Sequence, residues 1–379
     1  MIYDGHAYCI PDLNGDVGFD DPDQFRRHLQ LAIAQHFQPS LRKNDRAVAD
    51  SSGIADPAGG WSFDALKDAG FHAARHGRFE WTVGDQQYFK QYMPPSVVDM
   101  SYSPDNLVAE MDYAGVDMAL LHRTPYLGIG NDFIAECVYR FPDRLQGLAH
   151  VEEWLIQTEP DISIKKLEEA ISDKGLSGLQ FLPDNLPLYG QNEDWDSSGY
   201  RPFWDAVARL NIPLFITPGT FSLVAKGGGS EFETFLYSLR IIRRWMERYP
   251  DVKVVLTHGF SWRMFIETDT LRVPEEVFQA APIDNPNFYV QLLFAIFLGG
   301  VWDYPMPQIS STLEVMARRI GADRLIWGTD MPMVMRFYTY RQNLEYIRSY
   351  CDFLSPKEMD MILGGSVAKL MGVKSNVQE

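Results

Sequence analysis

From about residue 103 onward the chain alternates helix-like and strand-like segments joined by short links, and no other feature narrows its fold as much. SPDNLVAEMDYAG (103–115) opens on a Ser or Asp cap, carries apolar residues at helical spacing and stops at Gly115; VDMALLHR then reads as a strand. The unit recurs. NDFIAECVYRFPDR precedes LQGLAHV, SIKKLEEAISDKG precedes LSGLQFLP, YRPFWDAVARLN precedes IPLFITPG, and FETFLYSLRIIRRWMERYP precedes VKVVLTHG. A longer stretch with helix-like pieces (262–282) leads to FYVQLLFA, and SSTLEVMARRIGA leads to RLIWGTDMP. With the N-terminal MIYDGHAY this makes about eight strands, each followed by a helix, the pattern of an α/β (β/α)₈ TIM barrel. An open doubly wound sheet usually has fewer strands and a glycine-rich first turn, and the first turn here is not GxGxxG.

Residues 10–102 break the alternation and are far too long for an ordinary βα loop of roughly 2–6 residues, so they must carry structure of their own. QFRRHLQLAIAQHFQP reads as a helix ending before Pro39, and RFEWTVGDQQYFKQYMPP as a β-hairpin turning at Gly84-Asp85. The expected organisation is one barrel domain over 1–379, with 10–102 an insertion after the first strand that covers the barrel mouth. Its position near the end of the first strand would let polar residues of this insertion, Arg78 and Tyr92 among them, touch a substrate, but each taken singly reads as a surface contact.

The net charge of −17 argues against nucleic acid or an anionic membrane as a partner, since neither would be attracted without a compensating basic patch. The densest basic run, RIIRRWMER (240–248), has helical spacing and reads as a solvated helix face. Cys9, Cys137 and Cys351 are scattered and odd in number, which fits reduced thiols. FYVQLLFAIFLGGVW (288–302) falls short of the roughly 20 apolar residues a spanning helix needs and is expected to be a barrel strand running into a loop. No basic and apolar leader pattern opens the chain, so a cytoplasmic location is expected.

Three polar residues stand directly after short apolar runs: His6, His258 and Asp330. A strand that ends this way delivers its side chain to the C-terminal mouth, where barrel enzymes carry out their chemistry. His258 and Asp330 are the candidate catalytic pair, able to move a proton or activate water together. Tyr8 and Thr217 stand where a metal site at that mouth would want two more histidines. Arg123, at the end of the second strand, suits a carboxylate clamp because its guanidinium binds bidentately. His122 and His150 also end strands; His28, His36, His72 and His76 read as structural. Phe260, Trp262, Phe294, Phe297, Trp302, Met331, Met333 and Phe337 lie near strand ends and suggest an apolar, partly aromatic pocket for a planar substrate.

DGHAY, the histidine-glycine after a β-branched strand, WGTDMP and the terminal ILGGSVAKLMG, with MDYAGVDMALL, YRFPDRLQGLAHV and IPLFITPG between them, resemble the amidohydrolase-2 family from residue 1 to about 372. The resemblance implies a barrel with a divalent metal (Zn, Mn or Mg) at its mouth, held by a first-strand pair, a fifth-strand histidine and an eighth-strand aspartate, with a sixth-strand histidine as acid/base. His6, Asp330 and His258 match; Tyr8 and Thr217 depart, and the ligand set is degenerate. A phenol ligates only as phenolate and a threonine hydroxyl is a poor neutral ligand, which tells against tight binding of zinc and leaves room for a looser Mg or Mn site. Without a metal, His258 and Asp330 would act alone and Tyr8 would donate to a developing oxyanion, as a metal-free lactonase of the superfamily implies. Tyr8, Arg123 and Thr217 are thus the expected substrate-binding residues. The expected function is acid/base-assisted hydrolysis or non-oxidative decarboxylation of a small cyclic or aromatic carboxylate or acyl compound, in a homodimer as the family implies; a non-catalytic binding or regulatory protein on a decayed barrel is the alternative.

Overall fold

The computed structural model describes residues 1–218 and 230–373. Eight parallel strands form the centre: β1 (Tyr3–Ala7), β2 (Met118–Leu121), β3 (Leu145–Gly147), β4 (Leu179–Phe181), β5 (Leu214–Ile216), β6 (Val254–Leu256), β7 (Phe288–Leu292) and β8 (Leu325–Trp327). They pair as two arcs, β1-β2-β3 and β4 through β8. The seams are single parallel bridges, Ala7 with Met331 and Ala149 with Leu179. At the first, Tyr8 N–H donates to Met331 O and Asp330 N–H to His6 O, both at 2.8 Å. The architecture is a (β/α)₈ barrel.

The helices between strands are α1 (Pro104–Ala114), α2 (Asn131–Arg140), α3 (Pro160–Ser172), α4 (Arg201–Leu210), α5 (Glu231–Arg248), α6 (Glu275–Ala280), α7 (Ser310–Arg319) and α8 (Tyr340–Arg348). Local chemistry sets their ends. Ser103 caps α1 by accepting from Asn106 N–H, and Gly115 ends it at φ 78°, a conformation that costs a β-carbon dearly. In α5, Phe235, Leu239, Ile242, Trp245 and Met246 recur at helical spacing and are buried, while Arg240 and Arg244 stay exposed, so the basic run is a solvated face. The apolar run at 288–302 departs from expectation: after β7 it turns into a short helix, Phe294–Leu298, instead of a loop.

Inside the barrel, alternation sorts the layers. Leu120, Phe215, Val255, Tyr289 and Ile326 form one apolar cluster with Tyr3 that fills the base. Two residues further along their strands stand His122, Thr217, Thr257 and Gln291, so a polar layer rests on the apolar one. In β1 the alternation is interrupted by a register shift between Asp4 and Ala7. Asp4 is turned toward Thr329 and Tyr340, while His6 points among the polar layer.

Between β1 and α1 lie a helix, Pro22–Gln35, and a five-stranded antiparallel sheet that includes the hairpin Arg78–Val83/Gln86–Gln91 turning at Gly84-Asp85. Lys90 ties this segment together: its Nζ donates to Ile33 O at 2.7 Å, His36 O at 2.9 Å and Ser51 Oγ at 3.1 Å.

Candidate active site

A cavity of about 490 Å³ opens over the polar layer, within the usual range for a small-molecule site. Its floor includes Tyr8, Thr217, Thr257, His258 and Asp330; its far wall carries His28, His36, Phe37, Trp61 and Tyr92 from the segment between β1 and α1.

His6 is held by a chain of bonds that also decides its tautomer. Gln291 Nε2 donates to Gly5 O at 2.8 Å, which leaves Gln291 Oε1 as the acceptor. That oxygen lies 2.9 Å from His6 Nδ1 and 3.2 Å from His258 N–H. The proton of His6 is therefore assigned to Nδ1, and the Nε2 lone pair faces Tyr8 OH and Asp330. His122 stacks on His6 with ring centroids 3.6 Å apart and donates from Nε2 to Gly5 O at 3.0 Å. The ring of His258 lies 4.8 Å from that of His6 and packs edge-on against Phe297.

Two lone-pair acceptors now oppose each other: His6 Nε2 and Asp330 Oδ1 are 3.3 Å apart. Such a pair is stable only with positive charge or a proton between its members. Two donors each about 2.1 Å from one divalent ion stand about 3–3.4 Å apart, so the spacing fits a metal. The available ligand atoms of His6, His258 and Asp330 all lie within 4.8 Å of one another, a nitrogen-rich set with one carboxylate. These residues fit a divalent cation, and Tyr8 and Thr217 are not needed for it.

Burial dominates the site's titration. It pushes His6 and His258 down to about 3, with the neighbouring His6 adding to the effect at His258. It pushes Asp330 up to about 7, against the opposing pull of His258 and Arg336. The Tyr8 phenol is held well above its ordinary value by burial and the Asp330 carboxylate, so it is a neutral donor; its hydroxyl is 3.1 Å from His6 Nε2. His258 and Asp330 both sit at positive φ, 64° and 66°, in the sparsely populated left-handed region. Their backbone amides are fixed by Gln291 Oε1 and His6 O.

Of the residues singled out from sequence, the structure brings His6, Tyr8, His258 and Asp330 together and sets Thr217 in the same cavity, its hydroxyl 3.4 Å from Gln180 Nε2. Arg123 falls elsewhere. The strand alternation that turns His122 inward turns Arg123 toward the helix layer, where Nη2 donates to Gly128 O at 2.5 Å and the guanidinium faces Cys9 and Cys137. It does not line the cavity. Arg78 is likewise away from it, bonded to Gln91 Oε1 at 3.1 Å over the Phe89 ring, whereas Tyr92 lines it. Of the aromatic and methionine set, Phe297 and Met333 line the cavity; Trp262 packs on Phe294 in the core.

Four residues with roles here were not singled out. Asp4, fully buried, accepts from His6 N–H (3.0 Å), Thr329 N–H (3.1 Å), Thr329 Oγ1 (2.5 Å) and Tyr340 OH (2.7 Å), so it braces both sides of the β1/β8 seam. Gln291 was visible only as a polar residue in an otherwise apolar strand. His28 and His36, read as structural, line the cavity. The run that reads as one helix gave no sign of it; His28 lies within the helix and His36 directly after its end.

Fold and site together define a barrel enzyme with two histidines and an aspartate clustered at its C-terminal mouth. The amidohydrolase family profile matches residues 67–373, and the chain belongs to that family. Among curated proteins it is 26% identical to the gamma-resorcylate decarboxylase of Polaromonas over 61% of this chain and 70% of that one. To the 2-amino-3-carboxymuconate-6-semialdehyde decarboxylase of Dictyostelium discoideum it is 23% identical over 73% and 78%. Among solved structures it superposes on a probable 2-pyrone-4,6-dicarboxylic acid hydrolase from Acinetobacter baumannii with TM-score 0.53 at 16% identity, over 72% of this chain and 90% of that one. A dihydroxybenzoic acid decarboxylase from Polaromonas with bound manganese gives 0.52 at 19%, over 72% and 87%. At these identities the structures speak to fold alone. Among the described residues no helix is long and apolar enough to cross a membrane.

Proposed function

We propose that the chain is a non-oxidative carboxy-lyase acting on a small aromatic or otherwise cyclic carboxylate. The observation that carries this reading is the convergence of His6, His258 and Asp330 on one cavity in a chain of the amidohydrolase family, whose curated relatives are named as decarboxylases. His6 and Asp330 would hold the divalent metal, with His258 beside it as the acid/base histidine, manganese being the ion in one similar structure. When bound, the ion supplies positive charge to the substrate's carboxylate and adjoining oxygen.

The chain's own residues then have separate tasks. Phe297 and Tyr92 flank the space for the ring, and Tyr8, a neutral donor, orients a substrate oxygen. His258, with the Asp330 carboxylate beside it, delivers a proton to the ring carbon that bears the carboxylate. The electron pair of the C–COO bond returns to the ring and CO₂ departs.

A second reading is favoured by Tyr8, whose phenol stands where a developing oxyanion would need a donor: hydrolysis of a cyclic acyl compound by water activated at the same pair. The proposal includes a homodimer with a small-molecule substrate in the cytoplasm, and light scattering at twice the chain mass checks the dimer.

Turnover of a panel of hydroxybenzoic acids and cyclic esters, with metal content measured on the same protein, tests the assignment. CO₂ release that needs stoichiometric metal supports the carboxy-lyase; ester cleavage alone moves the assignment to the hydrolase. Absence of metal, with no turnover that responds to His258 or Asp330 substitution, defeats both.

A further inference from the structure

Tyr8 and His6 share a hydrogen bond that a cation on His6 has to break. With Nδ1 of His6 donating to Gln291 Oε1 at 2.9 Å, the ring's basic lone pair is on Nε2. Tyr8 OH lies 3.1 Å from that nitrogen and donates to it, and Asp330 Oδ1 lies 3.3 Å from the same atom. The phenol oxygen is supplied separately. Gln180 Oε1 accepts from Arg123 N–H, which leaves the Gln180 amide nitrogen to donate toward Thr217 Oγ1 at 3.4 Å and toward the phenol. Tyr8 therefore accepts on its Gln180 side and sends its own hydrogen to His6.

One lone pair serves either a hydrogen or a cation. Coordination at His6 and Asp330 uses the electrons of Nε2 on which the phenol hydrogen rests. A neutral phenol cannot keep that bond and must turn to another acceptor. Tyr8 lines the cavity together with Thr217, His258 and Asp330, so a substrate oxygen bound there is placed to receive the hydrogen.

We propose that Tyr8 couples the ion to the substrate: its hydroxyl caps His6 Nε2 until a divalent cation takes that lone pair, and only then donates to the substrate oxygen. The cap opposes loading of the ion, and its release favours the substrate, so the ion binds first and the substrate second. Resting on the reading of His6 and Asp330 as ligands of an ion that serves a cyclic carboxylate, the gate gives Tyr8 opposite effects on the two partners. A ligand role would instead make its loss weaken the ion, and a packing role would move neither.

Isothermal titration of the full chain with Mn²⁺, and of the Mn²⁺-loaded chain with benzoate, compares wild type with Y8F, which keeps the ring and removes the hydroxyl. Y8F should bind Mn²⁺ about three- to tenfold tighter and benzoate about three- to tenfold more weakly, the worth of one hydrogen bond in each case. Without Mn²⁺ the two proteins should hold benzoate alike, because the wild-type hydroxyl is then engaged by His6. Weaker Mn²⁺ binding in Y8F makes the phenol a ligand and overturns the gate. An unchanged affinity for Mn²⁺ or for benzoate, or failure of wild type to bind Mn²⁺, overturns it as well. If Y8F does not fold, wild type still decides: loaded with Cu²⁺ it should show no phenolate-to-metal charge-transfer band, and the presence of such a band refutes the cap. Opposite shifts in Y8F with no CO₂ release from any cyclic acid leave the gate standing and defeat the carboxy-lyase reading. Metal-dependent CO₂ release with equal affinities in the two proteins does the reverse.

Discussion

The two walls of the cavity are built on different principles. On the barrel side, His6, Gln291, His258, Asp330 and Asp4 form one bonded unit in which Gln291 Oε1 serves two histidines and Asp4 accepts four hydrogen bonds. On the other side, His36 meets Phe37 and Tyr92 ring to ring, while His28 and Trp61 reach the connection between β4 and α4 through Tyr189 OH and Asp184 O. Reaction geometry needs groups held to fractions of an ångström, whereas shape and charge selection tolerate a softer wall. The strands therefore brace the clustered histidines and aspartate, and the segment between β1 and α1 supplies the opposite wall of the cavity.

The largest test of this contrast is removal of the acid/base pair. Asp330→Asn and His258→Asn keep residue types that tolerate positive φ, so they should fold while turnover falls by about 10²–10⁴-fold; wild-type-like rates in either would dissolve the distinction between the walls. Next comes the brace. Asp4→Ala removes the acceptor of four buried hydrogen bonds and should cost about 3 kcal/mol or more in urea unfolding, and it should also lower turnover because both His6 and Thr329 lose their anchor. A loss under about 1 kcal/mol would show that the seam does not depend on it.

On the soft wall, Trp61→Ala should raise KM about three- to tenfold with kcat little changed and melting close to wild type. A fall in kcat without a rise in KM would place Trp61 with the chemistry instead. The smallest effect concerns pH. His28, 2.9 Å from Tyr189 OH, is held down to about 3 by burial first and then by His150 and Arg27, against 6.5 in the unfolded chain. Between these values the unfolded state binds more protons, so this residue's contribution is complete above about pH 6.5 and is lost as pH falls toward 3. His28→Phe should therefore lose less melting temperature between pH 7 and pH 5 than wild type. An equal loss would assign the acid sensitivity to the barrel histidines.

Legibility followed the range of the interactions. Alternation of helix and strand is written in local apolar spacing, and the strand-end positions of His6, His258 and Asp330 follow from it directly. The cap at Ser103, the stop at Gly115 and the turn at Gly84-Asp85 are equally local. Arg123 shows the limit: one residue decides whether a side chain at a strand end faces the barrel axis or the helices, and that phase could not be read for its strand in isolation. Asp4 was hidden by the register shift in β1, which directs it to partners 325 and 336 residues away.

By itself, then, the order of residues determined the barrel and which polar groups stand at its mouth, because strand and helix periods are set by neighbours a few positions apart. Tertiary structure alone decided that Gln291 selects the His6 tautomer, that Arg123 is turned away from the cavity, and that His28 and His36 line it. Those outcomes depend on contacts between segments tens to hundreds of residues apart, where direction and distance are products of packing.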